Sequence, residues 1–152
     1  MSVDKETIKG WLASGETLRE RDLSGCDLRE LDLTGRDLEG SDLRGALFCR
    51  ATLSQCRFRG SEIDGASFEL AVLQGADLAG VRGTGTRFAH AFLERALLDD
   101  AQLPGADFEG AGLQGARLTG AHLVGARMRM ADLSHADLTR ADLERVDLGN
   151  AI

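Results

Sequence analysis

The sequence predicts an all-β solenoid, a chain that coils around one continuous apolar column. Three observations predict it. First, every fifth residue from Leu18 to Leu148 is apolar; the 27 positions hold nineteen Leu, five Phe, Ile63 and Met128, and Gly83 is the single break. Second, a period of five suits neither regular element. Five residues turn a helix by about 500°, so the column would spiral around it, and in a flat strand successive members would alternate faces. The column stays on one side only if the backbone bends once per repeat. Third, the flanking columns show where it bends. With the central residue as position i, i−2 is Ala in sixteen repeats, i−1 is Asp in eleven and i+2 is Gly in fourteen. In a short extended piece, i−2 and i face inward together and i−1 faces solvent. The turn then falls at i+1 and i+2, where Gly is tolerated best.

The motif is clearest in Ala76-Asp77-Leu78-Ala79-Gly80, Ala136-Asp137-Leu138-Thr139-Arg140 and Ala141-Asp142-Leu143-Glu144-Arg145. This A-D-L-x-G pattern resembles the pentapeptide repeat family, over residues 16 to 150 and in one unbroken register. The resemblance implies a right-handed quadrilateral β-helix with four repeats per coil, and hence 6.75 coils from the 27 repeats. At the usual strand spacing the rod is about 30 Å long. Four central aromatics, Phe48, Phe68, Phe88 and Phe108, are spaced by twenty, so on such a coil they form one stack.

The elements follow in order. Residues 1–15 read as an N-terminal cap and 16–152 as the repeat array. Within the cap, Ile8, Trp11 and Leu12 share one helical stripe, Asp4 is placed to cap the start and Gly15 to stop the helix. A helix there would cover the core of the first coil, whose open end would otherwise expose Leu and unpaired edges. Glu16, Arg21 and Arg36 fall at inward positions of that coil. Such charges cannot enter an apolar core unpaired, so an irregular first coil is expected. At the other end, Leu133, Leu138, Leu143 and Leu148, with Ile152, form an almost bare last coil, which suits an end-to-end homodimer.

Composition and motifs narrow the function. The net charge is −7, which opposes direct nucleic acid binding. No apolar run is long enough to span a membrane, and no secretory signal is evident; a cytoplasmic location is expected. Three Cys without a CxxC pair agree with a reducing compartment, Cys26 and Cys56 pointing inward and Cys49 outward. His90, His122 and His135 lie outward on different faces without metal-ligand spacing. Gly83-Thr84-Gly85 lacks the GK[ST] that completes a phosphate loop, and Gly83 reads as a thinning of the core. No cofactor, metal or catalytic residue is expected, and the chain reads as a non-enzyme.

Sorting outward charges by face gives −2, −3, −1 and −2 for the sides of Leu18, Leu23, Leu28 and Leu33. The fourth side is nearly uncharged in its middle. It carries Val72 and Phe92 one coil apart, with Leu70 and His90 at the adjoining corner, Met130 further along, and Leu47 and Leu97 as outward apolar residues nearby. The expected protein-binding strip is Leu70, Val72, His90, Phe92 and Leu97.

Two functions follow. The first is a non-catalytic protein-binding scaffold of bacterial type. Leu12-Ala13-Ser14-Gly15-Glu16 and the repeats after it resemble pentapeptide arrays associated with type VI secretion proteins. The second is a DNA-mimicking regulator of DNA gyrase that confers quinolone protection, as some members of the resembled family do. The mixed charge on every side argues against the second.

Overall fold

The computed structural model describes residues 3–152; Met1 and Ser2, the first two residues of the expected cap, lie outside the described residues. The array is a coil of twenty-residue turns. Twenty-two parallel bridges, from Asp22–Asp42 to Arg127–Asp147, each join residues twenty apart. Each side of the coil is a single bridge residue flanked by a turn, with no longer strand. One repeat shows the bonding of most. The Val72 amide donates to the Ala51 carbonyl at 3.0 Å, the Leu73 amide to the Phe92 carbonyl at 2.7 Å, and the Ala76 amide back to the Leu73 carbonyl at 3.0 Å. The first two bonds tie the repeat to the coils on either side, and the third closes the corner.

The corner residue at i+2 has positive φ in every repeat, from Glu20 to Asn150. Glycine fills fourteen of these positions at little steric cost. The others include Leu70 at φ 58°, His90 at 55° and Met130 at 57°. A left-handed backbone costs such residues about 1–2 kcal/mol each, and the bonds to neighbouring coils hold them there.

The interior is as the period requires. Phe48, Phe68, Phe88 and Phe108 form the expected stack, with ring centroids 4.6, 5.0 and 4.8 Å apart and planes within 9°. Phe58 meets Phe48 and Phe68 edge-on. Where the inward i−2 residue is polar, its hydrogen bond is made. Ser41, Ser61 and Thr86 donate to the carbonyls of Leu18, Leu38 and Ile63. Cys56 donates to Leu33, and burial pushes its thiol up to about 12, which leaves it unreactive. Cys49 is half-buried, 3.1 Å from the Ser67 hydroxyl.

The helix α1 spans Lys5–Ser14 and covers the first coil. The Asp4 carboxylate caps it by accepting the Thr7 amide at 2.8 Å, and Gly15 ends it at φ 77°. Ile8 is buried against the core, with Trp11 and Leu12 packed beside it.

One expectation is corrected and two are filled in. The first repeat is irregular, as its charges lead us to expect: Glu20 has positive φ, but Thr17 makes no bridge to Asp37 and the Arg21 amide does not close onto the Leu18 carbonyl. The Arg21 guanidinium lies 3.9 Å over the Trp11 ring and pairs with Glu16, and Arg36 donates to the Leu12 carbonyl. Against expectation, Gly83 does not thin the core. A Cβ there would lie 2.5 Å from Ile63 Cγ1 and against the Thr86 hydroxyl, so neighbours already fill the space. Finally, Asp at i−1 does more than face solvent. In all eleven cases, from Asp22 to Asp147, its Oδ1 accepts the amide two residues on, at 2.9–3.1 Å. These bonds form Asx turns at the bend.

Two outcomes follow. Gly83→Ala overpacks the filled site and lowers stability in urea melts by about 1–3 kcal/mol; a gain would mean that the core is thin there. The second concerns acid. The side chain and then the amide of the residue two further on hold Asp22, Asp32 and Asp137 below the usual carboxylate range. Groups with a depressed folded pKa stabilise fully above their unfolded value, about 3.9, and lose that contribution as pH falls through the folded one. The melting temperature should stay level from about pH 7 to 5 and fall below about pH 4. A rise below pH 4 would contradict the role given to these aspartates.

Candidate functional site

The side that includes Leu73, Leu93 and Leu113 carries the site. Its outward bridge residues run Thr52, Val72, Phe92, Gly112, Asp132, each paired with the next. The corner before them runs Leu70, His90, Gly110, Met130, one residue per coil. Gly112 is the single glycine in the i−1 column. Together, Gly110 and Gly112 remove two outward side chains from one coil, between the side chains of the coils on either side.

The result is a groove of 380 Å³ lined by Leu70, His90, Phe92, Gly112, Met130 and Asp132, among others. A second groove of 480 Å³ adjoins it, bounded by Gln55, Gln74 and Arg95, and the two share Glu94 and Gln114. Phe92 is 45% exposed and Met130 53%. His90 folds over Gly110, its Nδ1 2.5 Å from where a Cβ would be.

The groove floor is rich in acceptors. A Cβ on Gly112 would lie 2.9 Å from Glu94 Oε1 and 3.1 Å from Gln114 Oε1, so both oxygens converge there. The Gln114 amide is oriented by its Nε2, which donates to Asp132 Oδ2 at 2.7 Å. Turning it over would set oxygen against carboxylate. Glu94 Oε2 and Gln114 Oε1 are buried and find no hydrogen-bond partner among the described residues. Hydrogen bonding from Ser134, and then from Gln114, holds the Asp132 carboxyl below its usual range.

Of the five residues expected to form the strip, the structure brings three, Leu70, His90 and Phe92, into this groove. Val72 is half-buried and paired with Phe92 across the ladder. Leu97 lies around the next corner, half-buried between Asp77 and Arg117, and is not part of the groove. Met130, Glu94 and Gln114 join it. The remaining exposed large hydrophobics are Leu148 and Ile152, on the last coil, where Leu133, Leu138 and Leu143 are half-buried. Among the described residues no three His, Cys, Asp or Glu side chains gather as metal ligands, and no helix is long and apolar enough to cross a membrane.

Elsewhere the outward surface is laced with ion pairs, many of them between coils. Arg57 pairs with Asp37, Arg59 with Asp77, Arg117 with Asp99 and Arg127 with both Asp107 and Glu109. Carboxylates on these sides are interleaved with guanidinium groups, and exposed pairs of this kind add little stability.

The family model for pentapeptide repeats matches in eight copies, over residues 17–48, 26–62, 51–82, 84–115 and 111–150. Among solved structures, a pentapeptide repeat protein from the Arabidopsis thaliana thylakoid lumen is 32% identical, with 74% of this chain and 71% of that one covered and a TM-score of 0.50. A trypsin-treated variant of QnrB1, a plasmid-mediated fluoroquinolone resistance protein, is 22% identical, with 90% and 79% covered and a TM-score of 0.59. At that identity the likeness is one of fold. No curated protein matches the chain in sequence.

Proposed function

Because the chain belongs to the pentapeptide repeat family, we infer that it acts as a non-catalytic protein-binding scaffold whose solenoid takes the right-handed quadrilateral form of that family. One observation carries this reading. Three of the five exposed large hydrophobics among the described residues, Leu70, Phe92 and Met130, line one groove along the side with the fewest charged groups. On a rod whose outward slots are mostly Asp, Arg and other polar residues, such a cluster is best explained by a partner that covers it. Aromatic and Met side chains are also the types enriched at interface centres.

The gyrase-regulator reading requires a continuous anionic surface that can stand in for DNA. The interleaved arginines, such as Arg57, Arg59 and Arg117 against their carboxylates, weaken it. The type VI secretion association belongs with the scaffold reading and concerns which partner is held. The exposed Leu148 and Ile152 support a second contact, an end-to-end homodimer through the last coil.

Two measurements test these readings. The double variant Val72→Asp/Phe92→Asp should lose a protein that the unaltered rod retains when cell extract is passed over both, while melting at the same temperature. A gyrase subunit held equally by both would move the reading to the topoisomerase regulator. For the dimer, light scattering should give twice the chain mass at micromolar concentration, reduced to the monomer by Leu148→Asp. A monomeric unaltered chain would end that proposal.

A further inference from the structure

The scaffold reading leaves open what the groove recognises, and its chemistry narrows the answer. Two features point the same way. One is the convergence of Glu94 Oε1 and Gln114 Oε1 on a single point above Gly112, with Glu94 Oε2 and Gln114 Oε1 buried and without a donor in the described chain. An acceptor buried without a donor costs about 1–3 kcal/mol, a cost that an incoming group with N–H donors would remove. The other is the wall. The exposed Phe92 ring borders the same notch, with Met130 opposite and Asp132 behind Gln114. An aromatic face, two carboxylates and an amide oxygen form the surroundings in which a guanidinium or ammonium group is stabilised. Arg95 also lines the adjoining groove, yet Glu94 Oε2 remains without a partner.

We propose that the notch over Gly110 and Gly112 receives an arginine or lysine side chain from the protein partner, its charged head between Glu94 and Gln114 and its stem against Phe92 and Met130. This rests on the protein-binding reading and specifies it. The missing side chain at Gly112 is then a recognition feature. Along the same ladder Thr52, Val72, Phe92 and Asp132 all project outward, and any of them at 112 would occupy the place of the incoming head group.

The test uses the whole chain, labelled with ¹⁵N and titrated with N-acetyl-arginine amide and N-acetyl-lysine amide at about pH 7.5, with N-acetyl-citrulline amide as the neutral control. The cationic amides should shift the amides of Glu94, Gly110, Gly112 and Gln114 in a saturable way, and citrulline should not. Glu94→Gln should weaken the interaction about tenfold, the scale of a charge-assisted bond. Gly112→Thr should abolish it while leaving the melting temperature within about 2 °C, because the Cβ meets only the ends of flexible side chains. Equal shifts with citrulline, or shifts spread over other sides, would overturn the proposal. If the cations fail while Val72→Asp/Phe92→Asp still loses its partner, cation recognition falls and the binding strip stands. If that double variant also retains every partner, both fall.

Discussion

Nearly every corner of this protein is closed by one hydrogen bond, from the amide of residue i+3 to the carbonyl of the central residue i; the corners after Leu18 and Gly83 form without it. Leu73 and Ala76 show it at 3.0 Å. Residue i+2 takes positive φ at every corner from Glu20 to Asn150, so the chain turns in the same sense each time. Once the backbone bends identically every five residues, the rest follows. The coil closes in twenty residues, like residues stack, and the Phe rings fall at 4.6–5.0 Å. The aspartates before the bend reinforce it by accepting the amide of its first residue. The left-handed corner is unfavourable for Leu70, His90 or Arg145 taken alone. It is held cooperatively, by the coils above and below and by the core they enclose.

This dependence explains what was legible in the sequence. The column from Leu18 to Leu148, the Phe spacing of twenty, and the caps at Asp4 and Gly15 are all local or strictly periodic, and the structure agrees with each. What escaped depends on side-chain reach across coils. That Arg21 and Arg36 leave the inward slots of their register is expected, but not that they turn to Trp11, Glu16 and Leu12. Gly83 suggested a thin core because its filling comes from Ile63, a full coil earlier, and from Thr86. Both are β-branched where the columns prefer Leu and Ala, and that was the available signal.

The candidate site was half legible. Leu70, His90 and Phe92 stood out because they break the polar pattern of the surface. Leu97 broke it too, yet it lies around a corner, since outward character does not say which side a residue shares. Glu94 and Gln114 were invisible as a pair because each is ordinary at its position. They matter only together, over the glycine of Gln114's own repeat, one coil on from Glu94. The clue was Gly112 itself, a glycine in a slot where every other repeat carries a side chain. In a fold this regular, a departure from the column that the core does not require is where function can be sought.

The central claim is that one side of the rod, between the coils of Leu70 and Met130, carries recognition and the other sides carry solubility and shape. A substitution scan of all outward i−1 and i+1 positions, scored for partner retention after variants with lowered melting temperature are set aside, tests it most directly. The account predicts that sensitive positions cluster at Val72, Phe92, Glu94, Gly112 and Gln114, with the sides of Leu18 and Leu23 tolerant. Sensitivity spread evenly around the coil, or concentrated on the acidic residues of another side, would contradict it.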